Sequence, residues 1–147
     1  MKLDAMAMGL PLREAGRLAA EVERAGCDEG LMRDMAGAPI CATAANLLVL
    51  RDGRWSTPRV DACGVAGVLR GWLLDQGLAE FAEHSPAEVE SADALALCNA
   101  VRGILPVVSL GARAWTLHPA LVELQERLAM AYPMFSEARF PDADIDA

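Results

Sequence analysis

The sequence predicts an α+β domain, and three observations carry that expectation. Apolar residues recur at helical spacing in two long runs, Leu12 to Ala25 and His118 to Tyr132. Between them lie short apolar stretches broken by turn residues, among them Asp52-Gly53, a dipeptide suited to a two-residue hairpin. With 147 residues, 54% hydrophobic and 23% charged, the chain is long and apolar enough to bury a core without staples.

Residues 1 to 10, MKLDAMAMGL, carry little pattern and leave two readings open, a frayed end or a strand. From Leu12 to Ala25, Leu12, Ala15, Leu18, Ala19 and Val22 share one helical face, and Gly26 follows as a stop. The period then changes. Gly30 to Arg33, Pro39 to Ala42 and Leu47 to Arg51 read as strands of an antiparallel meander of three to four members, closing on Trp55 and Ser56 before Pro58. Val65 to Gln76 fits a helix ended by Gly77, and LAEFAEH fits a short strand. Ser85, Pro86 and Glu88 form the signature of a capping box. ALALCNAV and GILPVVSLGARAW read as two strands around a turn at Asn99 to Gly103. The last helix, His118 to Tyr132, sets Leu121, Leu124 and Leu128 on one face. The expected organisation is a leader over 1–10, one domain over 11–135 and an acidic, solvated tail over 136–147.

Charge and composition narrow the function. A net charge of -8 with scattered arginines argues against nucleic acid, because phosphate neutralisation needs clustered cations. No apolar run reaches the length of a membrane span and no secretory signal opens the chain, so a cytoplasmic protein without a membrane partner is expected. Cys27, Cys41, Cys63 and Cys98 lack a CxxC pair, and with only His84 and His118 to join them a metal site is not expected. Twelve of the 13 basic residues are arginine, which leaves Lys2 as the single lysine.

The stretch CGVAGVLRGW, Cys63 to Trp72, sets Gly64 and Gly67 before an apolar helix. Free N–H groups at such a start can hold a phosphate. On the pattern alone, a tight packed turn into a core helix is the favoured reading, since the lysine of a P-loop is absent.

The order of segments adds to this. GCDEGLMRD, ICATAANLLVLRDGRWSTP, GVAGVLRGW and ADALALCNAVRGILPV together resemble the C-terminal domain of the fold-type IV pyridoxal-phosphate enzymes. That group includes branched-chain and D-amino-acid aminotransferases and 4-amino-4-deoxychorismate lyase. The resemblance rests on Asn46-Leu47-Leu48, Thr57-Pro58, Gly67-Val68 and Pro106-Val107, in that order, and spans about residues 26 to 115. AANLL and LCNAVRGILPV look most like the lyase, which releases pyruvate from aminodeoxychorismate to give 4-aminobenzoate in folate synthesis. The resemblance implies pyridoxal 5'-phosphate as cofactor, a small-molecule substrate and a homodimer. It implies that Val68 and Leu69 offer backbone N–H groups to the cofactor phosphate, with the turn Asn99-Ala100 completing the cup. Arg102 is then either the partner of a substrate carboxylate or an exposed turn residue.

Two positions depart from the family. Its lysine, which holds the cofactor covalently and moves the proton, aligns at or near Met8; Lys2 stands several residues too early and is either a replacement or an ordinary terminal lysine. Five residues before Asn46 the family commonly has the glutamate that pairs with the ring nitrogen, and this chain has Cys41. A thiol cannot stabilise a protonated ring nitrogen as a carboxylate does, so Cys41 marks either a subgroup variation or lost activity. The family's N-terminal domain is not matched, which is read as a truncated or isolated C-terminal part. The competing expectations are a lyase-like protein of this family, a non-catalytic associating domain that keeps the fold, and an aminotransferase.

Overall fold

Asn46–Arg51 reads NLLVLR, and its four central apolar residues are all fully buried, as a strand covered on both faces requires. The computed structural model in which this strand lies describes residues 2–5, 29–33, 39–42, 45–59, 67–110 and 112–136, the first three segments by their backbone pairing. The sequence-predicted helix over Leu12 to Ala25, the positions Met8, Cys27, Cys63 and Gly64, and the acidic ending FPDADIDA lie outside the described residues.

The predicted meander is present with four strands: β2 (Glu29–Arg33), β3 (Pro39–Ala42), β4 (Asn46–Arg51) and β5 (Arg54–Thr57), each antiparallel to the next. Asp52 and Gly53 turn β4 into β5 with φ of 52° and 76°, the left-handed pair that matches strand twist in a two-residue hairpin. Before the meander runs β1 (Lys2–Ala5); the remaining strands are β6 (Glu80–Phe81), β7 (Ala94–Asn99), β8 (Gly103–Pro106), β9 (Ser109–Leu110) and β10 (Arg113–Ala114). Among the described residues they form one sheet in the order β10-β9-β1-β2-β3-β4-β5-β6, with β7 paired to β4 and β8 to β7.

Two features correct the sequence expectation. The sheet is mixed: β1 pairs parallel with both β2 and β9, and β6 pairs parallel with β5. The open choice for the first residues is thereby settled for Lys2–Ala5, which form a strand interior to the sheet rather than a frayed end. The second correction falls on GILPVVSLGARAW, which is three short strands and not one. The hydrogen bonds to β7 continue one residue past Pro106, where Val107 N–H donates to Leu95 O at 3.0 Å, and beyond Val107 the chain pairs with β1 through Ser109 and Leu110.

Among the described residues three helices cover the sheet: α1 (Val68–Asp75), α2 (Pro86–Glu90) and α3 (Pro119–Ala131), the last followed by a 3-10 turn at Pro133–Phe135. Leu48, Leu50, Ala94, Ala96 and Cys98 form one face of β4 and β7, and pack against Leu69 and Leu73 of α1 and Leu121, Leu124 and Leu128 of α3. The opposite face, Leu47, Val49, Leu95 and Leu97, packs against Val89 of α2 and Trp115. The capping box at Ser85 is complete, with Ser85 Oγ accepting from Glu88 N–H and Glu88 Oε1 accepting from Ser85 N–H, an arrangement worth about 1 kcal/mol. Those two Ser85 contacts hold the Glu88 carboxyl below its ordinary value.

Candidate functional site

Strand pairing brings distant residues into one row. Cys41 on β3 pairs with Asn46 on β4, Asn46 pairs with Cys98 on β7, and Cys98 pairs with Ile104 on β8. The row lies at the start of β4, and side chains alternate along that strand, so Asn46 faces the same way as Leu48 and Leu50, toward α1. Asn46 is 5% exposed, and its Oδ1 accepts a hydrogen bond from Gly67 N–H at 3.2 Å.

That bond fixes the beginning of α1. Gly67 is the N-cap in an extended conformation, with φ -76° and ψ 151°, and the first helical bond runs from Gly71 N–H to Gly67 O at 3.0 Å. Helix geometry then leaves the N–H groups of Val68, Leu69 and Arg70 without an intrahelical acceptor. Val68 is 83% exposed, and the first turn of α1 holds no acidic side chain that would occupy those donors. Gly67 has a steric reason as well. A Cβ there would collide with Asn46 Oδ1 and touch Arg70 Cβ, so a side chain at this position displaces the cap.

Arg70 supplies a buried cation to the same turn. It is 6% exposed, donates from Nη2 to Pro58 O at 2.9 Å, and stacks on the Phe81 ring at 5.1 Å while Arg59 lies over that ring at 4.6 Å. Among the described residues its Nε has no hydrogen-bond partner, and neither has Thr57 Oγ1, which is 1% exposed and adjoins Pro58. Buried polar groups in this state are uncommon, and Arg70 brings one to the first turn of α1.

On the other side of the row, Asn99 ends β7. Its Oδ1 accepts from Val101 N–H at 3.0 Å and from Arg102 N–H at 2.7 Å, closing the turn to Gly103. Gly103 has φ 80°, and a Cβ there would lie 2.9 Å from Phe135 Cδ1, so the turn requires glycine on both backbone and packing grounds.

The candidates named from the sequence are therefore distributed as follows. Cys41, Asn99 and Ala100 lie on or beside the row, and Val68 and Leu69 begin the helix that Asn46 ties to it. Leu69 points its side chain into the core, so only its backbone is offered. Arg102 is exposed on the turn. Lys2 belongs to β1, in register with Ser109. Sequence reasoning did not single out Asn46, Arg70 and Thr57 as site residues. Asn46 and Gly67 are 21 residues apart, and no local spacing announces their bond. Arg70 had a signal: it shares a helical face with Leu73, where a solvated arginine would not be expected.

The only thiol with a described environment is Cys98, 1% exposed and pushed up to about 12 by burial, with the Arg70 guanidinium opposing the shift. It stays neutral at ordinary pH and is not a nucleophile in the folded chain. Because the folded value lies above the ordinary 9.0, the contribution to stability is complete below pH 9 and is lost as pH rises toward 12. Iodoacetamide at pH 8 is expected to leave Cys98 unmodified in the native state and to label it on unfolding, with peptide mapping as the readout.

The fold is shared with enzymes of known structure. The crystal structure of 4-amino-4-deoxychorismate lyase from Pseudomonas aeruginosa superposes with a TM-score of 0.79 at 31% identity, covering 90% of this chain and 55% of that one. The branched-chain aminotransferase from the thermophilic archaeon Thermoproteus uzoniensis, with norvaline, shares the fold with a TM-score of 0.75 at 19% identity, over 88% of this chain and 46% of that one. The fold IV-transaminase of Curtobacterium pusillum does so with a TM-score of 0.76 at 21% identity, over 90% and 53%. The chain thus spans about half the length of the structures it matches. Residues 12–110, two thirds of the chain, match the family model of amino-transferase class IV, and the chain belongs to that family.

Proposed function

We propose that this chain is an aminodeoxychorismate lyase-like protein that holds pyridoxal 5'-phosphate by its phosphate group. One observation carries the reading: the start of α1, tied by Asn46 to the row between β3 and β7, presents backbone N–H groups without an intrahelical acceptor beside the buried Arg70 cation. The residues fit the cofactor at that end. Val68 and Leu69 would bind phosphate oxygens through their N–H groups, with Ala100 N–H of the β7–β8 turn completing the cup and the positive end of α1 favouring the anion. At the ring end the fit is poorer, because Cys41 stands where the family commonly places a carboxylate and the neighbouring Cys98 thiol remains neutral.

When bound, the cofactor supplies an electron sink for loss of a proton and elimination of pyruvate. The chain's own contributions are binding and orientation. The α1 amides would fix the phosphate, and Arg102, exposed on the turn beside Ala100, would meet a substrate carboxylate. Proton transfer needs a side-chain amine, and the chain's one lysine, Lys2, lies on β1 while the family's position holds Met8. The chain is accordingly a cofactor-holding lyase homologue that does not turn over aminodeoxychorismate by itself.

The test combines cofactor titration, borohydride reduction with peptide mapping, and a pyruvate assay with 4-amino-4-deoxychorismate. Reversible binding displaced by inorganic phosphate, with no pyruvate formed above the free-cofactor rate, is the expected result. A reduced adduct on Lys2 together with pyruvate release would show a competent lyase. A folded chain that binds no cofactor would establish instead the second reading, a non-catalytic associating domain, which the Met8 substitution favours.

A further inference from the structure

We infer that Asn46 sets the anion affinity of the α1 start, acting as a neutral cap that orders its amides and leaves its positive field uncompensated. The inference rests on the cofactor-phosphate reading above and names the residue that tunes it. Aspartate, serine and asparagine all serve as helix N-caps, and a carboxylate is favoured near a helix N-terminus by charge. Here the acceptor comes from a different element, β4, and is an uncharged amide. The neutrality has a consequence because a second charge lies close by. A Cβ at Gly67 would meet both the Asn46 amide and Cβ of Arg70, whose buried Nε has no partner among the described residues.

Among the described residues no carboxylate pairs with Arg70. A carboxylate at position 46 would satisfy Gly67 N–H equally well and would also neutralise the helix start and the guanidinium from within. The site would then be filled by its own protein. An amide gives the geometry of the cap without the charge, so the field remains for a phosphate. Asn46 is therefore a positioning residue, acting through Gly67 and not by touching the ligand.

The experiment compares the native chain with Asn46→Asp and Asn46→Ala, using inorganic phosphate and pyridoxal 5'-phosphate as probes and unphosphorylated pyridoxal as control. Asn46→Asp is expected to melt at or above the native temperature and to bind both phosphate probes at least tenfold more weakly. Asn46→Ala, which removes the cap, is expected to melt lower. A merely structural role predicts that affinity follows stability, so an Asn46→Asp chain that is as stable as the native one and binds phosphate equally well overturns the inference. Hydrogen exchange at the Gly67 amide gives a readout that does not depend on binding. Protection in the native and Asp chains and its loss in the Ala chain is expected, and equal exchange in all three contradicts the capping role. Should the native chain bind no phosphate while these exchange rates follow the expectation, the cofactor reading fails and the cap stands.

Discussion

Replacing Leu48 by alanine is expected to cost about 3–5 kcal/mol of folding stability, a large part of the roughly 5–15 kcal/mol that holds a domain of this size together. Leu48 is fully buried at the centre of the cluster formed by α1, α3 and the face of β4 and β7. The sheet lies beneath it, and helices from two separate parts of the chain lie above it. Neither layer can move in to fill the space without disturbing the other, so most of the cavity persists. Denaturant unfolding should show a lower midpoint with an unchanged slope. The exposed Val101 on the β7–β8 turn provides the contrast, since its truncation should change stability by no more than about 0.5 kcal/mol.

Replacing Gly67 by valine is expected to abolish measurable phosphate binding while leaving a folded chain. The reason is local. A Cβ at this position meets Asn46 Oδ1, which must leave the Gly67 N–H, and the two further methyl groups of valine stand in front of the amides that follow. Loss of the cap costs about 1 kcal/mol, far less than the Leu48 cavity, so the two substitutions separate site from core. Equilibrium dialysis with pyridoxal 5'-phosphate measures the first effect and thermal melting the second. Undiminished binding in the valine variant would place the phosphate elsewhere.

The parts of the fold that were legible in the sequence are those fixed by neighbours. Asp52-Gly53 between apolar strands gave the β4–β5 hairpin, Ser85-Pro86 with Glu88 gave the start of α2, and Leu121, Leu124 and Leu128 gave the buried face of α3, because each signal is complete within a few residues. The parallel pairings of β1 were not legible. MKLDA carries no alternation, and the partner of Lys2 is Ser109, a contact that only the closed fold creates. The switch of partner between Val107, still bonded to β7, and Ser109 was not legible either, because it depends on where β1 lies.

The candidate site divides in the same way. Gly67 before Val68 and Leu69 could be read as a helix start, and Asn99 to Gly103 as a turn, from residue types alone. That both stand beside one row of the sheet follows from the registers Cys41 to Asn46 and Asn46 to Cys98, which sequence spacing does not state. Asn46 is legible in the sequence only as part of a family motif, and the fold makes it the cap of α1. Its role becomes visible only when strand and helix are placed together. The stretch Gly67 to Leu73 is accordingly a packed entry into a core helix whose first N–H groups have no intrahelical acceptor, with Leu69 and Leu73 serving the core.

The central claim, that the α1 start and the β7–β8 turn together hold a phosphate, is tested most directly by following backbone amide signals by NMR while inorganic phosphate or pyridoxal 5'-phosphate is added. The account predicts saturable movement of the Val68, Leu69 and Ala100 amides with either phosphate compound and none with unphosphorylated pyridoxal. Amides that stay in place at saturating phosphate, or that move only elsewhere in the chain, would contradict it.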